Sequence, residues 1–185
     1  MTYEIIQPPF TLNFRTMSKR ELKEYYEWFK QMIPERISIL EKTVRESESS
    51  WTADRSPGSL SALGEWFEGE VETRPHTAEE MEELRSKLPA WIDIDSVDLT
   101  NRTFSLAMDI GMYLGEVFRQ NVEGADWTLH LKKDSDFGQP VLTGFKIPLN
   151  PVHILVTVAY RVARGSRSGN HLRNVYNVWL SDTKT

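Results

Sequence analysis

Apolar residues in the first hundred positions recur at intervals of three and four, which is the spacing of amphipathic helices. The first run follows a capping box, in which Ser18 accepts from the third helical amide and Glu21 reaches back to the cap. Pro34 has no amide with which to continue the helical ladder, so we expect a break or kink there and a second helix beyond it. Two further helices are predicted, one after Ser56 and one after the capping box at residues 77–80. About four helices are therefore expected in the first half.

The pattern changes after residue 100. A helix capped by Thr100 or Asn101 is followed by alternating residues at 127–132, which are typical of a strand, and by a second predicted strand at 141–147. Two C-terminal helices follow, one from residue 151 to 162 and one from 171 to 180. In the helix capped by Thr100 or Asn101, the positions expected to be buried are Phe104, Met108, Gly111, Gly115 and Phe118. Strands and helices do not alternate regularly, so the prediction is an α+β fold in which helical residues 1–99 pack with a small antiparallel sheet and two C-terminal helices.

Composition supports a folded protein without disulfides. The 185 residues are 39% apolar and include 6 Trp, 8 Phe and 6 Tyr, which is enough for the core of a single domain spanning residues 1–185. The chain has no cysteine, which excludes a disulfide framework, a thiolate zinc site and a cysteine nucleophile. Residues 1–9 lack the basic and apolar regions of a signal peptide, and no apolar run is long enough to span a membrane. We therefore expect a cytoplasmic protein with no membrane segment.

The net charge of −5 conceals an asymmetry between the two halves. Residues 1–100 carry 12 basic and 20 acidic side chains, whereas residues 101–185 carry 10 and 7. An acidic first half argues against general nucleic-acid binding and favours a basic protein partner. The candidate partner-binding residues are Glu79, Glu80, Glu82 and Glu83.

The basic residues of the second half suggest a different kind of site. Residues 160–180 contain four arginines and one histidine but no acidic residue, and the Gly-Ser-Arg-Ser-Gly loop at 165–169 can present amides to an anion. The candidate anion-binding residues are Arg164, Arg167, Ser168, His171 and Arg173. The alternative interpretation is a solvated loop whose arginines face the acidic first half. The loop matches neither a P-loop nor a nucleophile elbow.

Glu116 is the one polar residue that we single out on an apolar helix face. It follows the Tyr-Leu-Gly sequence of residues 113–115, and Trp127 begins the next predicted strand. A half-buried carboxylate can serve as an acid or base, but Glu116 has no visible catalytic partner and can equally pair with Arg119. Gly111 and Gly115 lie on one face, where the missing β-carbons allow another element to approach closely.

No metal or cofactor site is expected. The three carboxylates of residues 93–98, Asp-Ile-Asp-Ser-Val-Asp, lack the glycine and the later glutamate of an EF-hand loop, and Asp98 can instead favour the following helix N-terminus. The four histidines are widely scattered, and none begins a His-Glu-x-x-His motif. A histidine-based site would have to be assembled by the fold.

The second half resembles a group of uncharacterised bacterial proteins and domains of unknown function. The resemblance covers about residues 100–181. It rests on the helix ending Tyr-Leu-Gly-Glu at 113–116, the strand beginning at Trp127, the Pro-initiated basic helix with its Gly/Ser break at 151–169, and a short terminal helix. It implies a small cytosolic bacterial protein. Related small families include immunity proteins encoded beside toxin genes, so by analogy it suggests such a role.

Two functional hypotheses follow from the sequence. The first is a non-enzymatic protein-binding module, of the immunity type, that masks a basic partner; it rests on the acidic first half, the aromatic residues and the lack of a catalytic constellation. The second is a phosphate-, nucleotide- or nucleic-acid-binding protein or hydrolase that uses residues 161–173.

Overall fold

The computed structural model describes residues 3–183, which form six helices and two pairs of short antiparallel strands. The helices are α1 (Lys19–Val44), α2 (Ser59–Glu70), α3 (Ala78–Lys87), α4 (Asn101–Asn121), α5 (Pro151–Ala163) and α6 (His171–Leu180). The strands are β1 (Thr73–Pro75), β2 (Val97–Leu99), β3 (Trp127–Leu129) and β4 (Pro140–Leu142), with β1 paired to β2 and β3 to β4. The predicted α+β fold with a helical first half is confirmed.

Helix α4 lies at the centre of the core. Its residues 105–118 are all buried, because α1 and α5 pack on it and the β3 strand covers a further face. The single buried stripe predicted for this helix is therefore too narrow, and Phe104 is only half-buried. A helix that is apolar on most of its circumference is one that neighbours enclose.

The two glycines of α4 allow the close approach that the sequence predicts. A β-carbon on Gly111 would lie 2.7 Å from the Val152 Cα of α5. A β-carbon on Gly115 would lie 2.1 Å from Cζ2 of Trp127. Both distances are shorter than any real contact, so the positions of α5 and Trp127 depend on these two missing side chains.

Helix α1 runs without a break through Pro34, so the separate second helix predicted after this residue is wrong. Apolar residues on both sides of the proline, among them Phe29, Ile33 and Leu40, are buried in the core. A proline inside a helix costs about 3 kcal/mol. Burial of these side chains offsets that cost, since each buried aliphatic or aromatic residue contributes about 1.5–3 kcal/mol.

The short elements differ from their predicted bounds. Helix α2 begins at Ser59, with Gly58 rather than Ser56 at the cap position. Strands β3 and β4 are three residues each, and the β1–β2 pair is not predicted from the sequence at all. Three-residue strands are too short to show an alternating pattern.

Within residues 3–183, no helix is both long enough and apolar enough to cross a membrane. The prediction that residues 1–9 are not a signal peptide includes residues 1 and 2, which lie outside the described part of the chain.

Candidate functional site

Residues 76–96 connect β1 to β2, and we call this segment the acidic arm. The two strands close its base, with Pro75 opposite Val97, and the His76 amide donates to the Ser96 carbonyl at 3.2 Å. The arm contains α3 and the loop that follows it. The paired strands thus act as a short neck that joins the arm to α2 and α4.

The acidic arm contributes nothing to the core. None of its residues is buried, and the side chain of Trp91 is 82% exposed. The arm contains six acidic and two basic residues. The four glutamates predicted to bind a partner all lie on α3, where Glu79, Glu82 and Glu83 are exposed.

Glu80, the fourth of these residues, holds the arm to its neck. Its carboxylate accepts from both terminal nitrogens of Arg74, at 2.8 and 2.7 Å, and from the Thr77 amide at 2.8 Å. The hydrogen bonds from Arg74, with that of Thr77, lower the pKa of Glu80 to about 2. Glu80 therefore has a structural role that its three neighbours on α3 do not share.

The end of the arm and strand β2 are tied to the C-terminal end of α5. The Arg164 guanidinium donates to Asp95 at 2.9 and 2.5 Å, and the Tyr160 hydroxyl donates to Asp98 at 2.6 Å. These bonds occupy two of the three carboxylates considered above for a metal. Across residues 3–183, no group of three His, Asp or Glu side chains is arranged to hold a metal ion.

The predicted anion-binding loop already holds a carboxylate of the same chain. The amides of Ser168 and Gly169 donate to the buried Glu68 of α2, at 3.0 and 2.8 Å, and His171 Nε2 lies 3.6 Å from this carboxylate. This arrangement matches the interpretation in which the basic segment faces the acidic first half.

The arginines of this segment do not converge. Arg164 pairs with Asp95 of the arm, Arg167 is exposed, and Arg173 lies 5.8 Å from the centre of the Tyr176 ring. An external anion at residues 164–173 would have to compete with Glu68 for the loop amides. Binding of such an anion stays a prediction.

The Glu116 side chain is buried, and both of its carboxylate oxygens accept hydrogen bonds. Its carboxylate accepts from Arg119, at 2.9 and 3.1 Å, and from the indole nitrogen of Trp127 at 2.9 Å. The pairing of Glu116 with Arg119 is the structural alternative considered for this residue. Glu116 therefore positions Trp127 against Gly115.

A buried ionic network is the feature that sequence reasoning missed. Arg36 of α1 donates to both carboxylate oxygens of Asp109 of α4, at 2.8 Å each, and the Tyr3 hydroxyl donates to the same carboxylate at 2.5 Å. Burial raises the pKa of Asp109, and the hydrogen bonds and charge of Arg36 oppose that shift. Ser105 accepts from the Ile6 amide at 2.8 Å, so the network also fixes the N-terminal segment. The available signal was the position of Arg36, which falls on the apolar stripe of α1.

Within residues 3–183, the fold assembles two hydrogen-bonded histidine–carboxylate pairs that the scattered sequence positions could not reveal. His130 lies 2.9 Å from Asp134, and His153 lies 2.8 Å from Asp136. The hydrogen bond from His130 lowers the pKa of Asp134. Among the described residues, neither imidazole is hydrogen-bonded to a hydroxyl group, so neither pair has the nucleophile of a Ser-His-Asp site.

The resemblance to uncharacterised bacterial proteins stays a prediction. Comparison of the chain with protein-family models, with curated proteins and with solved structures finds no match in any of the three.

Proposed function

We propose that this protein is a non-enzymatic binding module that holds a basic protein partner on the acidic arm, with Trp91 as the central contact. The observation that carries the proposal is the 82% exposure of Trp91 on a segment in which no residue is buried. A segment with no buried residue gains little stability from its apolar side chains. Tryptophan is also among the residues most enriched at the energetic centres of protein interfaces.

The charge of the arm specifies the kind of partner. Glu79, Glu82 and Glu83 lie on exposed positions of α3, and the arm as a whole has a net charge of −4 at neutral pH. Complementary charge speeds association and excludes acidic competitors, while a desolvated aromatic residue supplies most of the affinity. A basic surface with a pocket for an indole ring would satisfy both requirements.

The anchoring of the arm reduces the cost of binding. The Arg74–Glu80 pair fixes α3 on the neck, and the Arg164–Asp95 pair fixes the loop that follows it. A surface held in one arrangement before association loses less conformational entropy when the partner binds.

An immunity-type role is the specific form of this proposal. In that role the occupant is a basic toxin from the same bacterium, and the arm masks its active surface. The resemblance of residues 100–181 to bacterial proteins whose related families include immunity proteins supports this form. A toxin gene adjacent to the gene for this chain is the genomic observation expected from it.

The experiment is affinity capture from the native host with matched variants. We expect the wild-type chain to retain one basic protein that both Trp91→Ala and the triple variant Glu79→Lys/Glu82→Lys/Glu83→Lys lose. Glu80 is left unchanged because it holds the neck. The control triple variant Glu48→Lys/Glu65→Lys/Glu123→Lys makes the same change in net charge at exposed positions outside the arm, and it should retain the partner.

The captured protein is then purified and its affinity for each variant is measured by calorimetry. We expect Trp91→Ala to weaken binding by at least about 2 kcal/mol, as at other interface centres. A protein that binds wild type and Trp91→Ala equally would overturn the assignment of the arm as the interface.

A further inference from the structure

A polar cavity lies between α1, the C-terminal part of α4, the start of β3 and the loop that precedes α2. We call it the Arg55 cavity; its volume is about 440 Å³. Its walls are the rings of Tyr26 and Trp127 and the apolar side of α1 at Pro34. Its ionic side chains are Lys30, Arg55, Glu116, Arg119 and Asp126.

The two carboxylates of the cavity are occupied by the protein itself. Glu116 accepts from Arg119 and from the Trp127 indole, as described above. Asp126 accepts from the Trp127 amide at 2.9 Å and pairs with Arg119 Nε at 3.0 Å. Arg119 is thus shared between two acids, and among the described residues neither acid forms a hydrogen bond or an ion pair with Lys30 or Arg55.

Two cationic side chains of the cavity, those of Arg55 and Lys30, have N–H groups that remain free to donate to a ligand. Among the described residues, the Arg55 guanidinium has no hydrogen-bond or ion-pair partner, although the residue is half-buried. The Lys30 ammonium makes one ion pair, with Glu27 at 3.2 Å, and lies 4.5 Å from the centre of the Tyr26 ring. The five ionic side chains together carry a net charge of +1.

The backbone of Arg55 is held in an unfavourable conformation. Its φ is 60°, the left-handed region, and Arg55 is the only residue other than glycine with a positive φ in the part of the chain that the structure describes. The Arg55 amide donates to the Tyr113 hydroxyl at 3.0 Å, and its carbonyl accepts from Asn121 at 2.9 Å. Glycine or asparagine adopts this conformation more readily, so the turn itself does not call for arginine. Residues strained in this way cluster at functional sites.

From these observations we propose that the Arg55 cavity binds a small organic anion, whose carboxylate or phosphate group lies against Arg55 and Lys30 and whose ring packs on the half-buried Tyr26, next to the buried Trp127. The planar guanidinium binds either oxyanion through two parallel hydrogen bonds. The volume falls within the range of small-molecule sites. This site is separate from the acidic arm and from the basic loop at residues 164–173, so it stands or falls independently of the proposed function.

The test is a titration of the isotope-labelled chain with phenyl phosphate and, separately, with benzoate, recorded as amide and indole NMR shifts. We expect saturable shifts of the Arg55 amide and the Trp127 indole with at least one of the two probes. The probe that binds more tightly identifies the oxyanion. Inorganic phosphate and acetate serve as probes without a ring, and they should bind more weakly than their aromatic counterparts.

Arg55→Asn removes the guanidinium and retains a residue that tolerates positive φ, so the fold should persist. Its affinity for the preferred probe should fall by at least about tenfold, because a hydrogen-bonded charge is lost. Lys30→Gln provides a second loss of charge on regular helix, where no backbone strain is involved, and it should also weaken binding. The matched control Arg167→Asn removes the same charge from the basic loop and should leave affinity unchanged.

Two results would overturn the proposal. One is the absence of a saturable shift for either aromatic probe at about 10 mM, a concentration that detects even millimolar binding. The other is a loss of binding in Arg167→Asn equal to or greater than that in Arg55→Asn, which would place the anion in the basic loop instead.

Discussion

Gly115 is the glycine of α4 at which an added β-carbon would make the shortest contact. A β-carbon there would lie 2.1 Å from Trp127, whose indole is held in place by Glu116. The ring therefore cannot move aside without breaking a buried hydrogen bond. Gly69 of α2 is the opposite case, because no atom lies within 4 Å of the position of its β-carbon.

We predict that Gly115→Ala destabilises the protein by about 1–3 kcal/mol through overpacking, and that Gly115→Leu costs more. Gly69→Ala should instead be neutral or stabilise by up to about 1 kcal/mol, since it removes a glycine from a helix without creating a contact. Chemical denaturation of the three variants checks both values. Unchanged stability of Gly115→Leu would mean that this face of α4 is open.

The Arg36–Asp109 pair is the second case in which one residue has a large effect. Both side chains are almost wholly excluded from solvent. We predict that Asp109→Ala costs about 3–5 kcal/mol, because it leaves the guanidinium buried without its counter-ion. The double variant Arg36→Met/Asp109→Leu should be more stable than Asp109→Ala alone. If the double variant is the less stable of the two in urea denaturation, the network contributes more than the pairing of two charges.

Helix α3 differs from the other helices in what keeps it folded. It has ten residues, none of them buried, and an isolated helix of that length is marginal in water. Its capping box and the Arg74–Glu80 pair replace the packing that stabilises α1, α4 and α5. The acidic arm is therefore expected to open more readily than the core.

We predict that the acidic arm can be removed without loss of the fold. Replacing residues 76–96 by Asn-Gly joins β1 to β2 through a two-residue hairpin turn. Stability should change by no more than about 1 kcal/mol, because the two ion pairs lost with the arm, Arg74–Glu80 and Arg164–Asp95, join side chains that are all at least a third solvent-exposed. A loss of cooperative unfolding in the shortened chain would show that the arm supports the core after all.

Acidification should release α3 before the core unfolds. The pKa of Glu80 lies at about 2, below its ordinary value of 4.5, so the stabilisation by this carboxylate is complete above pH 4.5 and is lost as the pH falls through 2. Carbon chemical shifts of α3 recorded between pH 6 and pH 2 measure this change. Glu80→Gln should weaken α3 already at pH 6 and remove most of the pH dependence of its helicity. If the variant shows the same pH dependence as wild type, groups other than Glu80 are responsible for it.

The core of the molecule is built from both halves of the chain. Helix α1 from the first half packs on α4 from the second, and α2 packs on α6. The buried apolar residues form one cluster that runs from Ile6 to Tyr176. The division at residue 100 is therefore a change in sequence pattern, while the apolar core extends across it.

We predict that neither half folds alone. A fragment of residues 1–99 lacks α4, so the buried faces of α1 and α2 would be exposed to water. It should show no cooperative thermal transition, while the full chain should unfold in one step. Two separate transitions in calorimetry of the full chain would contradict the prediction of a single domain.

Predictions from neighbouring residues succeeded where groups within one helical turn decide the outcome, and they failed where distant contacts override them. The capping boxes at Ser18 and Thr77 are both present, with the bonds expected from three-residue spacing. The break at Pro34 failed because local reasoning counts the lost hydrogen bond and omits the burial of residues on either side. Arg55 could not be found at all, since nothing in its sequence context distinguishes a left-handed arginine from an ordinary loop residue.

What the sequence by itself determined is the capping boxes that begin α1 and α3, the α+β class and the tight contacts at Gly111 and Gly115, because each depends on side-chain size or on groups within one helical turn. The tertiary structure alone decided which charged groups pair with one another. Glu68 occupies the loop amides and Asp109 neutralises Arg36, while Arg55 has no partner among residues 3–183. Charge acts through space over a few ångströms, and these partners are separated by as many as a hundred residues along the chain, so only folding brings them within reach.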